Sequence, residues 1–464
     1  MEDKKLAAHE NRETAREDVC AQKELTFKRE LLQLAVPVTL QCLLQSSFSV
    51  ADQIMTGQLG SVSIAGIGLG GKFASLYSVV IAAAASVAGI LIAQHVGRRD
   101  DAQAGRSFYT NLAAALLLAA VFTLFSVVMP SRILGLYTND AAAVREGARY
   151  LGIYALGFLP VAVTSVFSAY LRCVDAAKAP LYAGIFAGIA NTALNYILIF
   201  GKGGFPAMGA RGAAIASVAA QLLGCILTVF FFFRLRRKNA WRLPFALKMD
   251  GPQWKQYMAV FLPLLVCEFF WSLGENVYAS IYGHVGTKAL AAMTLTNPLQ
   301  ALVMGALSGV SQAAGVMIGK RLGAGDERNA YRGAKRLMHT GFVCSVVLSL
   351  AVLAFHKFYV LIFPVEDAVR QMTMYVLTVY ALVAPVKAQN MILGGILRSG
   401  GRTTPVMLID LIGTWVFGVP LGMLAAFVFH LPIAAVYFML SLEECVRMIL
   451  FLGVFRKRKW MRRL

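Results

Sequence analysis

The sequence predicts an all-α membrane protein, with twelve transmembrane helices in two parallel six-helix repeats. Three observations carry that prediction. The 464 residues are 58% hydrophobic and 15% charged, with a mean hydropathy of +0.64, whereas a soluble domain carries about 25% charged residues. Twelve apolar segments fall near 31–56, 62–94, 107–129, 144–171, 179–200, 210–233, 255–282, 287–319, 335–355, 367–397, 404–429 and 432–455. Each is long enough for a hydrocarbon core of about 30 Å, which takes about 20 helical residues. Finally, a shift of 226 residues aligns positions 37–107 with 263–333 without a gap.

The repeat is carried by Pro37/Pro263, Gly57/Gly283, Gly60/Gly286, Gly89/Gly315, Gly97/Gly323, Asp100/Asp326 and Arg106/Arg332. The same shift pairs Tyr154-Ala155-Leu156 with Tyr380-Ala381-Leu382, and Leu171-Arg172 with Leu397-Arg398. Six spans per half make both halves enter from the same side. Parallel repeats of this kind occur in transporters whose two lobes rock against each other. The expected organisation is a tail at 1–29, an N-lobe at 30–238, a linker at 239–253, a C-lobe at 254–456 and a basic tail at 457–464. The charged N-terminal stretch has no apolar signal region and reads as a disordered or surface-helical segment.

Basic residues orient the chain. With the N-terminus in the cytoplasm, the tails and the even-numbered loops hold 34 of the 44 Lys and Arg, and the outer loops hold eight. This is the positive-inside pattern of a multi-pass plasma-membrane protein with both termini cytoplasmic. It also accounts for the net charge of +20 through attraction to the anionic inner leaflet, without nucleic acid. Seven cysteines show no metal-ligand spacing. No Walker A, H-E-x-x-H or G-x-S-x-G sequence occurs, so no cofactor, metal centre or enzymatic activity is expected, and an ion gradient is the expected energy source. A monomer is expected.

The first span holds the leading site candidate. Gln41, Gln45, Ser49, Asp52 and Thr56 are spaced by four, four, three and four, which puts them on one helical face. Asp52 is the one ionisable residue between Leu31 and Met55. A carboxylate at membrane depth is costly and is by default functional. Other candidates carry two readings. Asn191 and Asn195 share a face with Gly184 and Gly188, which suits either close helix packing with amide glue or a cation site. Glu268 and Glu275 share a face with Ser272; two ionised acids there would repel, so one is expected to be protonated or paired. Lys72 and Lys387 are placed near mid-depth, either paired with Glu268, Glu275 or Asp410 or open to an anionic group of a substrate. Asp410, near the start of the eleventh span, also complements a helix dipole. Asp175, Asp326, Glu443 and Glu444 are assigned to structural pairs at the inner boundary.

V-A-D-Q-I-M-T-G-Q-L-G at 50–60, L-N-Y-I-L-I-F-G at 194–201, G-A-R-G-A-A-I-A-S at 209–217, L-R-S-G-G-R-T-T-P at 397–405 and W-V-F-G-V-P-L-G at 415–422 together resemble the MATE family of multidrug and toxic-compound extrusion transporters. The resemblance spans residues 30 to 456. It implies two lobes around a V-shaped cavity, and antiport of amphipathic organic cations against Na⁺ or H⁺. Position by position it implies the first-helix acid at Asp52, a helix-bending proline at Pro37 and an amide of the cation site at Asn191, with transient Na⁺ at Asp52 and Asn191. Asn195 stands where many relatives carry Asp, and Ser217 lies near the sixth-helix hydroxyl of that site. The rival within the superfamily is a lipid-linked oligosaccharide flippase, which Lys72 and Lys387 would suit. A membrane enzyme or receptor lacks a supporting motif.

Overall fold

A computed structural model describes residues 2–138, 140–239, 241, 243–245, 251–363 and 365–463, excepting the side chains of 2–24, 61, 252 and 253. Among the described residues there are twelve long helices and no strand. They are α1 (Glu2–Thr56), α2 (Ser61–Arg98), α3 (Asp101–Val128), α4 (Ala141–Cys173), α5 (Lys178–Phe200), α6 (Gly209–Asn239), α7 (Gly251–Val285), α8 (Thr287–Gly323), α9 (Glu327–Leu361), α10 (Asp367–Ser399), α11 (Thr403–Val428) and α12 (Ile433–Arg456). A short helix, Pro130–Gly135, sits in the α3–α4 connection. The first eleven contain windows long and apolar enough to cross a membrane. α12 carries Glu443, Glu444 and Arg447 in its middle, and burial against one another makes that charge tolerable there.

The helices match the twelve expected segments, with differences at their ends. α1 starts at Glu2, so the N-terminal stretch is a backbone continuation of the first span. α3 and α9 start one to two turns before their apolar runs because each has a polar cap. Asp100 Oδ1 accepts from the Gln103 N–H at 3.0 Å, and Asp326 Oδ1 accepts from the Asn329 N–H at 3.1 Å. The repeat pair Asp100/Asp326 is thus a pair of helix caps. Gly60 and Gly286, ahead of α2 and α8, have φ of 84° and 147°, a region that favours glycine.

The Asn329 side chain and backbone hold the Asp326 carboxyl below its ordinary range. A folded-state shift in that direction contributes stability at neutral pH and loses it as the pH falls through the lowered value. Asp326→Ala should therefore cost about 1 kcal/mol in thermal unfolding at pH 7. The gap to wild type should narrow in acid.

The lobes meet at the end of the bundle that carries the basic loops. A Cβ on Gly97 would collide with the Lys320 carbonyl, and a Cβ on Gly323 would collide with the Gln94 carbonyl. Residues 97 and 323, and 94 and 320, are repeat partners, so the contact is two-fold symmetric within one chain. Thr39 Oγ1 donates to the Ala306 carbonyl at 2.8 Å, and Gly309 leaves room for the Ala35 carbonyl. Pro37 stands at this α1–α8 contact; α1 continues through it without the N–H that would reach Gln33. Two ion pairs join the lobes at the same end, Lys320–Asp175 at 2.7 Å and Arg321–Glu30 at 2.7 Å. A buried apolar cluster runs across both lobes there, whereas the far half of the C-lobe has a core of its own. The lobes are therefore joined at the basic end and diverge toward the other.

The C-terminal segment is not a free basic tail. Trp460 is fully buried against Phe455, and Gln94 Nε2 of α2 donates both to the Ser399 carbonyl at 2.8 Å and to the Arg462 carbonyl at 3.2 Å. The apolar ring drives the segment inward despite its charges. Of the expected linker, residues 240, 242 and 246–250 lie outside the described residues. Its start folds over the N-lobe, with Leu243 buried and its carbonyl accepting from Arg236 at 3.2 Å.

Candidate functional site

A cavity of about 870 Å³ lies between the diverging lobes. The polar face of α1 lines it with Gln41, Gln45, Ser49 and Asp52, as the four- and three-residue spacing predicts. Thr56 is outside this wall; its hydroxyl donates back to the Asp52 carbonyl at 2.8 Å.

The predicted N-lobe residues meet in one hydrogen-bonded chain. Asn195 Nδ2 donates to Asp52 Oδ1 at 2.6 Å and to Asn191 Oδ1 at 3.3 Å, and Asn191 Nδ2 reaches Ser217 Oγ at 3.5 Å. α5 supplies both amides one turn apart, and α6 supplies Ser217. Asn195 is fully buried, and its Oδ1 has no partner among the described residues. A buried amide oxygen without a donor is costly, and it belongs to the same side chain that donates to the Asp52 carboxylate. Gln221 Nε2 donates to the Tyr154 hydroxyl at 3.3 Å on the same wall. The glycines of α5 face α1: Gly188 accommodates the Phe48 ring, and a Cβ on Gly184 would lie 4.0 Å from Gln41 Cγ at the cavity.

The C-lobe assignments need correction. One of the two α7 acids is paired, as expected, but Glu268 and Glu275 belong to two separate clusters. Arg398 lies 3.5 Å from Glu268 and 3.6 Å from Asp410, and Cys267 Sγ donates to Asp410 Oδ2 at 3.2 Å. Arg398, not a lysine, is thus the partner of both acids. Its fork reaches two carboxylates at once, which a lysine point charge does less well. Lys72 is exposed and makes no ion pair among the described residues. Lys387 faces a small C-lobe pocket of about 80 Å³ together with Glu275, Glu443, Glu444 and Arg447.

Glu443 and Glu444 are not at the inner boundary either. They are buried in mid-helix, with Arg447 at 3.3 Å and 3.7 Å. The Tyr278 hydroxyl donates to Glu443 at 2.6 Å, and Asn390 Nδ2 donates to Glu444 Oε2 at 2.8 Å. Arg447 also bonds Thr414. A π-helical turn in α11 at Ile412–Gly418 opens the helix here. Gly413 makes room for Arg447, and Gly418 makes room for Tyr278 and Glu443. Arg447, counted above with the inner basic residues, is therefore a mid-span charge; the asymmetry of the remainder is unchanged. The signal for this cluster was present in the sequence: Glu443, Glu444 and Arg447 form i,i+3 and i,i+4 pairs inside an apolar run. Among the described residues no group of three His, Cys, Asp or Glu could hold a metal ion.

The MatE family model matches residues 37–197 and again residues 263–424, so the two matches begin 226 residues apart. The chain belongs to the MATE family of transporters. Among its relatives, the probable multidrug resistance protein NorM of Thermotoga maritima is 24% identical over 94% of each chain. Multidrug and toxin extrusion protein 1 of Xenopus tropicalis is 25% identical over 88% of this chain and 71% of its own. A solved outward-facing MATE transporter superposes with a TM-score of 0.85 at 17% identity, covering 93% of this chain and 96% of that one. This MATE protein shares with that structure the all-helical two-lobe fold.

Proposed function

We propose that this protein exports amphipathic, cationic organic compounds across the plasma membrane by alternating access, in exchange for Na⁺ or H⁺. The observation that carries the reading is Asp52 in the wall of an 870 Å³ cavity, held at 2.6 Å by the buried Asn195 amide behind it. It offers one negative charge to either an organic cation or an inorganic one. The names of the relatives, multidrug resistance and extrusion proteins, support the same substrate class. Asn191, Asn195 and Ser217 orient Asp52 and supply oxygens to a bound ion. Occupation of Asp52 changes the bend at Pro37, and with it the α1–α8 contact. Glu275, Glu443 and Glu444 form a second acidic group in the C-lobe. Lys72 and Lys387 line no part of the central cavity, so the flippase reading loses the two residues that suited it.

The working lobes are 30–238 and 254–456, joined by 239–253, in a monomer with both termini cytoplasmic. The basic end is then cytoplasmic and the cavity opens outward. Gln58→Cys and His284→Cys, at the opposite end, should label with an impermeant thiol reagent in intact cells when introduced into a cysteine-free background. Labelling only after permeabilisation would invert or break the topology. The transport reading itself is tested by efflux of a cationic dye from proteoliposomes under separately imposed Na⁺ and H⁺ gradients. One gradient should drive efflux; equal rates with and without either would defeat the reading.

A further inference from the structure

Each lobe places one arginine in the wall of the central cavity. Arg172 ends α4 and Arg398 ends α10, at matching positions of the repeat, and both line the cavity. Their surroundings differ. Arg398 is held between two carboxylates, Glu268 and Asp410. The Arg172 guanidinium makes no ion pair or hydrogen bond among the described residues, and the titratable side chains close enough to act on it are Cys173 and Cys42. A cation in the last turn of α4 suits the helix dipole. That alone does not account for a guanidinium that faces the cavity without a counter-ion when its repeat partner holds two.

The repeat identifies what is missing. Shifted back by 226 residues, Glu268 falls on Cys42 and Asp410 falls on Gly184. The structure supports this register: the Cys267–Asp410 contact corresponds to Gln41–Gly184, and the Gly274–Thr414 contact corresponds to Phe48–Gly188. The N-lobe therefore keeps the arginine and lacks both of its carboxylates. In their places stand a thiol and a glycine whose Cα faces open cavity.

We propose that Arg172 is an anion subsite at the basic end of the central cavity, and that it takes the carboxylate of an exported compound. The ligand's carboxylate occupies the space that Glu268 and Asp410 fill in the other lobe, and the planar guanidinium can grip it through two parallel hydrogen bonds. This inference rests on the export reading above and assigns a residue to the anionic end of a zwitterionic substrate. The cationic part of the molecule lies further out, toward Asp52. Along α1, Gln41 and Asp52 are about 16 Å apart at 1.5 Å per residue, so the cavity is long enough to separate two charged ends.

The test uses rhodamine B and rhodamine B ethyl ester, which share one cationic ring system and differ in a free carboxylate. Binding of each to the purified full chain is read by fluorescence polarisation, with thermal melts to verify folding. The selectivity for the acid over the ester should fall about tenfold or more in Arg172→Gln, the effect of losing a charge-assisted hydrogen bond. Arg172→Lys should keep part of it. Cys42→Glu, which rebuilds the C-lobe pattern in the N-lobe, should lose it while Arg172 is intact. If these variants weaken both dyes equally or leave the selectivity unchanged, the subsite is overturned, as it is if wild type binds the ester alone. Acid binding that depends on Arg172, with no binding of the ester, would keep the subsite and reject the export of simple cations. Binding of neither dye would overturn both.

Discussion

Asp52→Asn should fold, insert and lose gradient-driven export. The substitution keeps the shape and a hydrogen bond to Asn195 but removes the single charge of the α1 cavity face. A site that exchanges two cations at one carboxylate loses the exchange when that charge is removed. Efflux of a cationic dye from proteoliposomes should therefore fall to the rate seen without a gradient. The thermal midpoint should hold, since the carboxylate makes no ion pair among the described residues. Asn195→Ala should lie between wild type and Asp52→Asn: it removes the donor to Asp52 and the unpartnered amide oxygen together. Wild-type efflux by Asp52→Asn under the same gradient would make Asp52 structural and move the coupling acid to Glu275 or Glu443.

The second large effect is on stability. Arg447 is buried with Glu443 and Glu444 at 3.3 Å and 3.7 Å. Arg447→Met leaves two buried acids with less compensation, and breaking such a pair from one side costs about 3–5 kcal/mol. The thermal midpoint in detergent should drop accordingly. Adding Glu443→Gln and Glu444→Gln to Arg447→Met should recover much of the loss, because the uncompensated charge is then gone. Lys387 faces the same two acids across the pocket, so Lys387→Met should give a smaller drop. A triple variant no more stable than Arg447→Met would show that the cost is packing around Gly413 and Thr414 and not charge.

Much of the N-lobe site could be read from residue order alone. Asp52, Gln45 and Asn195 sit on helices whose apolar background makes a polar residue conspicuous, and helical spacing fixes the face each occupies. The repeat was also legible, and its pairs acquire distinct physical meanings in three dimensions: Asp100/Asp326 cap helices, Gly60/Gly286 take positive φ, and Gly97/Gly323 let the lobes touch backbone to backbone. The C-lobe was less legible because the choice of partner is a tertiary matter. A sequence shows that Glu268, Asp410 and Lys387 are charged and deep, but α10 can present either Lys387 or Arg398 to them, three turns apart, and packing selects Arg398. Spacing on α7 places Glu268 and Glu275 on one face; it does not show that each finds a different neighbour along that face. Trp460 was hidden by the arginines and lysines around it, since one fully buried ring outweighs several charges that can reach solvent.

The central claim is that an organic cation and a coupling ion share Asp52. Dye affinity of the purified protein, measured while Na⁺ and pH are varied independently, tests it most directly. An ion that competes for the same carboxylate must raise the apparent dye Kd by the inverse of the fraction of sites it leaves free. The account predicts that the dye Kd rises with Na⁺ or with falling pH in wild type, and that this dependence disappears in Asp52→Asn. A dye Kd indifferent to both ions, or equally ion-dependent in Asp52→Asn, would contradict it.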